Sequence, residues 1–334
     1  MNMNIRVATP EDKPAMIELL KKSLGESLIP KSEAFWCWKH EDNPFGHSYV
    51  LLAEEGQQLV GLRAFMQWKW QWKGQTYKSI RAVDTATHPD HQGKGIFKKL
   101  TLQQAEACKN QGIHFVFNTP NEQSRPGYLK MGWVAQGKMP LKLKVVQPVS
   151  LLYSKFFQKN KNVSPIDQSI PAQEWNQDVF QLLNKYVQNE HQLTTALSPA
   201  YIKWRYADNP LFKYHYITDN DNFILISRVK THSFTKELRI VDFILINPNA
   251  DPRSINKFIK KSVVQFCKSY GISFVSLSGQ QYQTYKKYFE WMGIVPVRSL
   301  GPIVTLKDLN MNGHFQDLLN VKNWGYSLGD MELF

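Results

Sequence analysis

The sequence of 334 residues is poor in cysteine and has no long hydrophobic segment. Its three cysteines, Cys37, Cys108 and Cys267, form no Cys-x-x-Cys pair, which argues against a disulfide framework and against a zinc site. No apolar run approaches the length needed to span a membrane. The first residues also lack the apolar core of a secretion signal. We therefore expect a cytoplasmic, reducing location and no bound metal.

Acidic residues are scarce relative to basic ones, 28 against 41, which gives a formal net charge of +13 at pH 7. Such an excess can mark a nucleic-acid partner, an anionic membrane surface, or an acidic substrate and cofactor. The lysines are spread along the chain, with modest clusters at 138–144 and 155–161 and no arginine-rich tract. We assign most of this charge to solvated surface. A nucleic-acid partner is therefore not favoured, although tRNA stays open.

A glycine-containing turn between a strand and a helix is the most informative segment. Residues 81–87 mix β-branched and small side chains, Pro89 ends that strand, and the apolar positions from Ile96 onward have helical spacing. Between them stands Gln92-Gly93-Lys94-Gly95. Glycines ahead of a helix let a ligand approach the backbone closely, and the unpaired N–H groups of the first turn attract an anion. We expect a phosphate or pyrophosphate group here.

The spacing of these glycines excludes two common phosphate-binding motifs. No Gly-x-x-x-x-Gly-Lys-Ser/Thr run occurs, and a dinucleotide fingerprint would need glycine or alanine where Lys98 stands. The segment instead resembles the acetyl-CoA signature of the GNAT (GCN5-related) N-acetyltransferases, Gln/Arg-x-x-Gly-x-Gly/Ala after a strand that ends in His-Pro-Asp. Here it reads Gln92-Gly93-Lys94-Gly95-Ile96-Phe97, and Phe97 departs from the usual glycine or alanine.

A second segment carries the same resemblance. Asn121 and Tyr128 match the family pattern Asn-x-x-Ala-x-x-x-Tyr-x-x-x-Gly-Phe, with Ser124 in place of alanine and Trp133 in place of phenylalanine. The resemblance implies that Tyr128 protonates the departing CoA thiolate and that Asn121 lies against the pantetheine arm. A tyrosine hydroxyl, with an unperturbed pKa of about 10, is protonated at neutral pH and suits that role. The alternative is a tyrosine packed on a helix face with a satisfied hydroxyl.

The second half of the chain repeats the first. Four segments return in the same order at nearly constant spacing: 34–44 as 200–210, 81–84 as 239–242, 112–116 as 271–275, and 131–132 as 292–293. We therefore predict two copies of one fold. Where the first copy has the glycine loop, the second has residues 247–254, which contain no glycine. The second copy is thus not expected to bind the cofactor.

The strand before the loop supplies the remaining candidates. Asp84 could accept the proton of an amine, directly or through water, and we keep it as the candidate base beside Tyr128. Its counterpart Asp242 lies in the copy without the loop, which favours a structural role instead. The resemblance implies that backbone N–H groups near Thr85 orient the thioester carbonyl. The predicted contacts to acetyl-CoA are Thr85, Ala86, Thr87, Gln92, Gly93, Lys94, Gly95, Ile96, Phe97 and Asn121.

These observations predict an α/β protein, with α+β mixed sheets, made of two tandem GNAT-type acyltransferase folds. The expected order is a catalytic domain at 1–146, a linker at 147–171, a degenerate domain at 172–310 and a C-terminal tail at 311–334. Such a tandem arrangement resembles the Eis-like acetyltransferases. More distantly it resembles the FemABX peptidyltransferases, which use aminoacyl-tRNA.

The function that the resemblance implies is direct transfer of the acetyl group of acetyl-CoA to a primary amine of a small molecule, such as an amino sugar or another metabolite. A FemABX-like aminoacyl-tRNA-dependent transferase and a non-catalytic acyl-CoA-binding protein are the alternatives. The FemABX enzymes do not depend on a CoA-pyrophosphate loop. Trp68, Trp70 and Trp72 share one face of a strand and form core, an interdomain contact or an aromatic wall for the acceptor. The sequence leaves the oligomeric state open.

Overall fold

The structure is a computed structural model that describes residues 3–26, 29–149, 166, 169–293 and 301–331. Its strands, in chain order, are β1 (Met3–Val7), β2 (Tyr49–Glu55), β3 (Gln58–Trp72), β4 (Gln75–Thr87), β5 (Phe115–Asn118), β6 (Val134–Lys138), β7 (Leu141–Val145), β8 (Thr194–Thr195), β9 (Tyr214–Thr218), β10 (Phe223–Thr231), β11 (Lys236–Leu245), β12 (Phe274–Ser278) and β13 (Ile303–Asp308). Its α-helices are α1 (Lys13–Leu24), α2 (Glu33–His40), α3 (Ile96–Asn110), α4 (Arg125–Lys130), α5 (Gln177–Leu183), α6 (Pro199–Ile202), α7 (Pro252–Ser269), α8 (Gln281–Thr284), α9 (Phe315–Leu319) and α10 (Leu328–Met331).

The chain divides into two compact units. The first contains Met1–Gly137 and Pro302–Asn323, and the second contains Lys138–Gly301 and Trp324–Glu332. This division differs from the expected boundaries at residues 146 and 310, because β7 is part of the second sheet and β13 is part of the first. Most of the predicted linker at 147–171 and the end of the predicted tail lie outside the described residues.

The first unit is built on a mixed sheet in the order β1-β2-β3-β4-β5-β13-β6. The β4–β5 pair is parallel, whereas β1 to β4 are joined by antiparallel pairs and β13 lies antiparallel to β5. Helix α3 begins at Ile96, where the helical spacing predicts its start, and packs Ala105 and Cys108 against Phe65, Ile80 and Ala82 of the sheet. Burial raises the pKa of the Cys108 thiol to about 12, which agrees with a small core residue rather than a reactive one.

The second unit has its own mixed sheet, in the order β7-β12-β11-β10-β9. The β11–β12 pair is parallel, and the β7–β12, β10–β11 and β9–β10 pairs are antiparallel. Helix α7 contributes Ile255, Ile259, Val263 and Cys267 to the core, a spacing of about one turn that places all four on one face of the helix. The two sheets, one in each unit, are consistent with two tandem domains.

Local backbone geometry follows the sequence repeat. Gly112 and its counterpart Gly271 have φ of 74° and 65°, and Gly132 and Gly293 have φ of 87° and 76°. These left-handed conformations favour glycine, which explains why the same residue stands at both places. The ladder between β3 and β4 is irregular at Arg63/Phe65, close to Asp84. The ladder between β10 and β11 is likewise irregular at Ile226/Ser227, which pair with Asp242 and Ile240.

The structure also bears on the three tryptophans of β3, on metal binding and on membrane-spanning helices. The indole side chains of Trp68, Trp70 and Trp72 are at most 4% exposed, so they are buried and do not form an open aromatic wall. Among the described residues, no group of three or more His, Cys, Asp or Glu side chains is placed to hold a metal ion. No helix in the described part of the chain is both long and apolar enough to cross a membrane.

Candidate active site

The glycine loop and the first turn of α3 form an open cradle of backbone N–H groups. Gly93 and Gly95 have φ of 78° and 76°, and a Cβ atom added to either would meet no atom within 4 Å. Gly95 is the N-cap of α3, and the backbone N–H of Lys99 donates to its carbonyl oxygen at 3.0 Å. The N–H groups of the turn before Lys99 therefore precede the helical ladder and can bind an anion. The cradle fits a phosphate or pyrophosphate group.

The polar side chains of the loop lie at its rim. Lys94 is about half exposed, and its Nζ lies 3.5 Å from Oε2 of Glu55. The same carboxylate oxygen lies 2.9 Å from Nε2 of His91. Gln92 is exposed and ends the short turn that begins at His88. Because Lys94 shares its acid with a histidine and is open to solvent, its charge supports an anion weakly compared with the backbone cradle.

The corresponding helix of the second unit has no such cradle. Helix α7 begins after Asp251, whose carboxylate accepts hydrogen bonds from the backbone N–H groups of Arg253 at 3.2 Å and Ser254 at 3.0 Å. A carboxylate already occupies the N-terminal donors and repels a second anion. This arrangement supports the expectation that only the first copy binds CoA.

A gap opens between β4 and β5 next to the cradle. The two strands pair only from Ser79 to Arg81, although β4 continues to Thr87. Thr85, Ala86 and Thr87 stay paired with β3 on their other side, and the N–H of Thr87 also donates to Oγ of Ser23 at 3.3 Å. Backbone beyond the last β5 pair is thereby available to orient a carbonyl group in the gap.

Tyr128, on α4, is buried and receives a hydrogen bond from Arg63 on β3. Nη2 of Arg63 lies 2.8 Å from the Tyr128 hydroxyl oxygen, and the two residues are 65 positions apart in the chain. A guanidinium has only donors, so the tyrosine oxygen must accept this bond. The proton of Tyr128 finds no acceptor among the residues that the structure describes. The geometry therefore leaves it available for a ligand atom.

Arg63 is a buried cation without a neighbouring acid. It is 0% exposed, and no carboxylate of the described residues lies within 4.0 Å of it. Its guanidinium carbon lies 4.5 Å from the ring centroid of Phe65, 5.8 Å from that of Phe97 and 5.4 Å from that of Tyr128. Faces of aromatic rings stabilise a desolvated cation. The sequence analysis missed Arg63, although a single charge within the apolar run 59–66 is a visible signal.

Phe97, the position that departs from the family signature, links the cradle to Tyr128. The two rings meet edge to face with centroids 5.4 Å apart. A Cβ atom on Gly127 would approach the Phe97 ring to 3.1 Å, so the absence of a side chain at Gly127 makes room for the larger residue. The helix start is thus packed around Phe97, and the backbone cradle beside it stays open.

Asn121 caps the turn that leads into α4. Its side-chain oxygen accepts hydrogen bonds from the backbone N–H of Ser124 at 2.8 Å and from the Ser124 hydroxyl at 2.9 Å. Asn121 is exposed, and its amide nitrogen has no partner in the described part of the chain. The residue therefore positions α4 with its oxygen and can still donate to a ligand with its nitrogen.

Asp84 forms a buried ion pair that the sequence analysis did not foresee. Its Oδ2 lies 2.7 Å from Nζ of Lys39 and 2.9 Å from Nε2 of His40, whose other ring nitrogen lies 2.8 Å from Oγ of Ser48. Burial opposes ionisation of the carboxyl, but the Lys39 ammonium and the hydrogen bond from His40 outweigh it and hold the pKa well below its usual range. Such a carboxylate is a weak proton acceptor, which favours a structural role.

Asp242, the counterpart in the second unit, has no such cation. Its carboxylate accepts from the hydroxyl of Tyr206 at 2.9 Å and from the side-chain amide of Gln281 at 3.2 Å. Arg205, which stands where Lys39 stands in the first copy, instead donates to the carbonyl oxygen of Gly329 at 2.8 Å. Burial and the nearby charge of Asp330 raise the pKa of Asp242 above its usual value.

The two aspartates should therefore respond to neutralisation in opposite ways. Asp84→Asn leaves Lys39 buried without its partner and should destabilise the protein by about 3 kcal/mol at pH 7. Asp242→Asn removes a disfavoured buried charge and should raise the Tm at pH 8 by about 2–4 °C.

The raised pKa of Asp242 means that stability falls as pH rises from its unfolded pKa, near ~4, through the higher folded pKa, so the gain should be smaller at pH 5 than at pH 8 and vanish below pH ~4. The lowered pKa of Asp84 means that its contribution is retained above pH ~4. Thermal unfolding of both variants at pH 5 and pH 8 tests this. A destabilised Asp242→Asn protein at pH 8 would contradict it.

Comparison with known proteins gives matches within the first unit. The sequence model of the family described as "Acetyltransferase (GNAT) domain" matches residues 4–135. The L-amino acid N-acyltransferase MnaT of Escherichia coli is 29% identical over 94 residues, which cover 27% of this chain and 53% of that protein. The match therefore spans about half the length of this curated relative.

Solved structures resemble a larger part of the chain. A GCN5-related N-acetyltransferase from Anabaena variabilis has a TM-score of 0.62 at 14% identity, with 92% of this chain and 73% of that chain covered. The N-myristoyltransferase of Saccharomyces cerevisiae, solved with bound myristoyl-CoA, has a TM-score of 0.52 at 10% identity, with 92% and 79% covered. The predicted mixed α/β fold is confirmed. Residues 4–135 thus match the model of a GNAT acetyltransferase domain.

Proposed function

We propose that the protein is an acetyl-CoA-dependent N-acyltransferase with one active site, in the first unit. It transfers the acetyl group directly to a primary amine of a small molecule. The observation that carries the proposal is the contact between Phe97 and Tyr128, with ring centroids 5.4 Å apart. This contact joins an open anion cradle at the start of α3 to a buried hydroxyl that still has a proton to donate.

The relatives support both halves of the proposed reaction. MnaT is named as an L-amino acid N-acyltransferase, which supports a small amine-bearing acceptor. The yeast N-myristoyltransferase was solved with myristoyl-CoA, which supports an acyl-CoA donor in a related fold. Cys37, Cys108 and Cys267 are all free thiols, which supports a reducing, cytoplasmic setting.

In the proposed reaction, the cradle of Gly93 and Gly95 holds the pyrophosphate of CoA, and Asn121 donates to its pantetheine arm. Backbone N–H groups of β4 beyond Arg81 polarise the thioester carbonyl. A C–N bond forms as the neutral amine attacks, and the C–S bond breaks. Tyr128 gives its proton to the departing sulfur.

The proton lost by the amine passes to water, which later returns a proton to the Tyr128 oxygen. Asp84 is a poor acceptor for that proton because its pair with Lys39 stabilises the ionised form. We therefore assign Asp84 to holding Lys39 and His40 in place. The acceptor must therefore bind with its amine already in the neutral form.

An amine-panel assay tests the proposal. We expect release of free CoA from acetyl-CoA only when a primary amine is present, with one N-acetylated product per CoA by mass spectrometry. The same amines with an acetylated nitrogen are the matched controls and should release none. Binding of acetyl-CoA without turnover on any amine would favour a non-catalytic binding protein. Transfer that requires aminoacyl-tRNA would favour the FemABX-like alternative.

A further inference from the structure

A small pocket lies in the first unit, beside Asp84 and apart from the glycine loop. Helices α1 and α2 and the strand β4 form it, together with the residues just before α2. The side chains that matter are Lys31, Phe35, Trp36, Lys39, His40 and Asp84. Neither the family signature nor the proposed handling of CoA uses this pocket.

The pocket opens on the face of the sheet opposite to Tyr128. Arg63 contacts Tyr128 and pairs with Thr85 across the β3–β4 ladder, so the side chains of Arg63 and Thr85 share one face. Asp84 lies between the Arg63–Thr85 and Phe65–Ala82 pairs, in the irregular part of the ladder opposite Ala64. Ala64 points to the face opposite to Arg63, which places Asp84 on that other face, where it contacts α2. A molecule in the pocket and a CoA thioester at Tyr128 would therefore meet at β4, beside the gap to β5.

The charges of the groups that line the pocket do not sum to zero. Asp84 is already paired with Lys39 at 2.7 Å. Lys31 has no carboxylate within ion-pair distance among the described residues, and burial lowers the pKa of its ammonium group. His40 does not add a positive charge, because burial lowers its pKa and favours the neutral imidazole. One lysine charge is thus left without a partner in a partly desolvated pocket.

A pocket of this charge repels an ammonium group and attracts an anion. On the basis of the proposed function, we infer that the acceptor is an amine that also carries a carboxylate, that Lys31 binds this carboxylate, and that the amine is thereby directed toward β4. The walls formed by Phe35 and Trp36 suit an apolar side chain between the two polar groups.

Steady-state kinetics with matched acceptors test this inference. Leucine, phenylalanine and methionine would each be compared with its amide and with the amine that lacks the carboxylate. Acetylation of the amino acids should have the lowest KM. Lys31→Met should raise that KM about tenfold or more, as expected for one lost hydrogen bond to a charged group, with little change in kcat. KM for the decarboxylated amines should not rise.

Lys22→Met is the matched control, because Lys22 is an exposed lysine on α1 and lines no part of the pocket. It should leave every KM unchanged. Equal or better use of the decarboxylated amines by the wild type would overturn the inference while the proposed function stands. So would a Lys31→Met variant that raises KM equally for both series. If no amine of either kind is acetylated, the proposed function itself fails.

Discussion

Replacement of Gly93 by glutamate should weaken acetyl-CoA binding by about a hundredfold or more. The cradle works because the backbone at Gly93 is open, with no atom within 4 Å of where a side chain would begin. A glutamate there would place a carboxylate over the N–H groups that we assign to the pyrophosphate. Loss of charge-assisted hydrogen bonds at about 1.5–3 kcal/mol each, with added repulsion, accounts for this factor.

Titration calorimetry of acetyl-CoA against both proteins measures this effect, and Gly112→Glu is the control. Gly112 has φ of 74°, close to the 78° of Gly93, and likewise has open space around it. The control therefore matches the backbone strain and the added charge but lies at the other end of α3. We expect it to bind acetyl-CoA as the wild type does. Wild-type affinity in Gly93→Glu would refute the assignment of the loop.

The elements around this loop could be predicted because their signals are local. Helix α3 begins at Ile96 as predicted, since its apolar positions recur at helical spacing and glycines stand directly before it. The repeat of Asp84 as Asp242 and of Gly112 as Gly271 is also readable in the sequence. The structure adds a local difference between the two segments, because the carboxylate of Asp251 occupies backbone donors at the start of α7.

The partners inside the candidate site could not be predicted in this way. Arg63 and Tyr128 are 65 positions apart, and His40 and Asp84 are 44 apart, so no periodicity joins them. The sequence also does not show that β7 pairs in the second sheet and β13 in the first, because the residue pattern of a short strand does not specify which strand it pairs with. Asp84 looked like a base because its sequence neighbours suggested one. The structure changes this interpretation, because Nζ of Lys39 lies 2.7 Å from Oδ2 of Asp84.

Tyr128→Phe should lower kcat about a hundredfold and leave acetyl-CoA affinity within about threefold of the wild type. The variant keeps the ring that packs on Phe97 and removes only the hydroxyl, which is the proposed proton donor. General acid catalysis contributes about 10²–10⁴-fold, so the lower end of that range is expected with water as a substitute donor. Single-turnover kinetics and calorimetry separate the two effects. Unchanged kcat would remove Tyr128 from the mechanism.

Arg63 should act through Tyr128 and not on the substrate directly. Arg63→Met should lower kcat about tenfold, because the hydroxyl then loses the donor that fixes its orientation and its proton can turn away. In a protein that already carries Tyr128→Phe, the same change should cost almost nothing more in kcat. Arg63→Lys, which keeps the charge, should recover part of the loss.

Arg228→Met is the matched control for the arginine, since Arg228 is also a buried arginine over an aromatic ring, 4.8 Å from the centroid of Phe212, but lies in the second unit. It should leave kcat unchanged at a temperature where the variant is folded. Residues that act as a unit show non-additive effects, whereas a merely structural arginine would lower activity equally with and without the hydroxyl. Additive losses of kcat in the double variant would therefore assign Arg63 to packing alone.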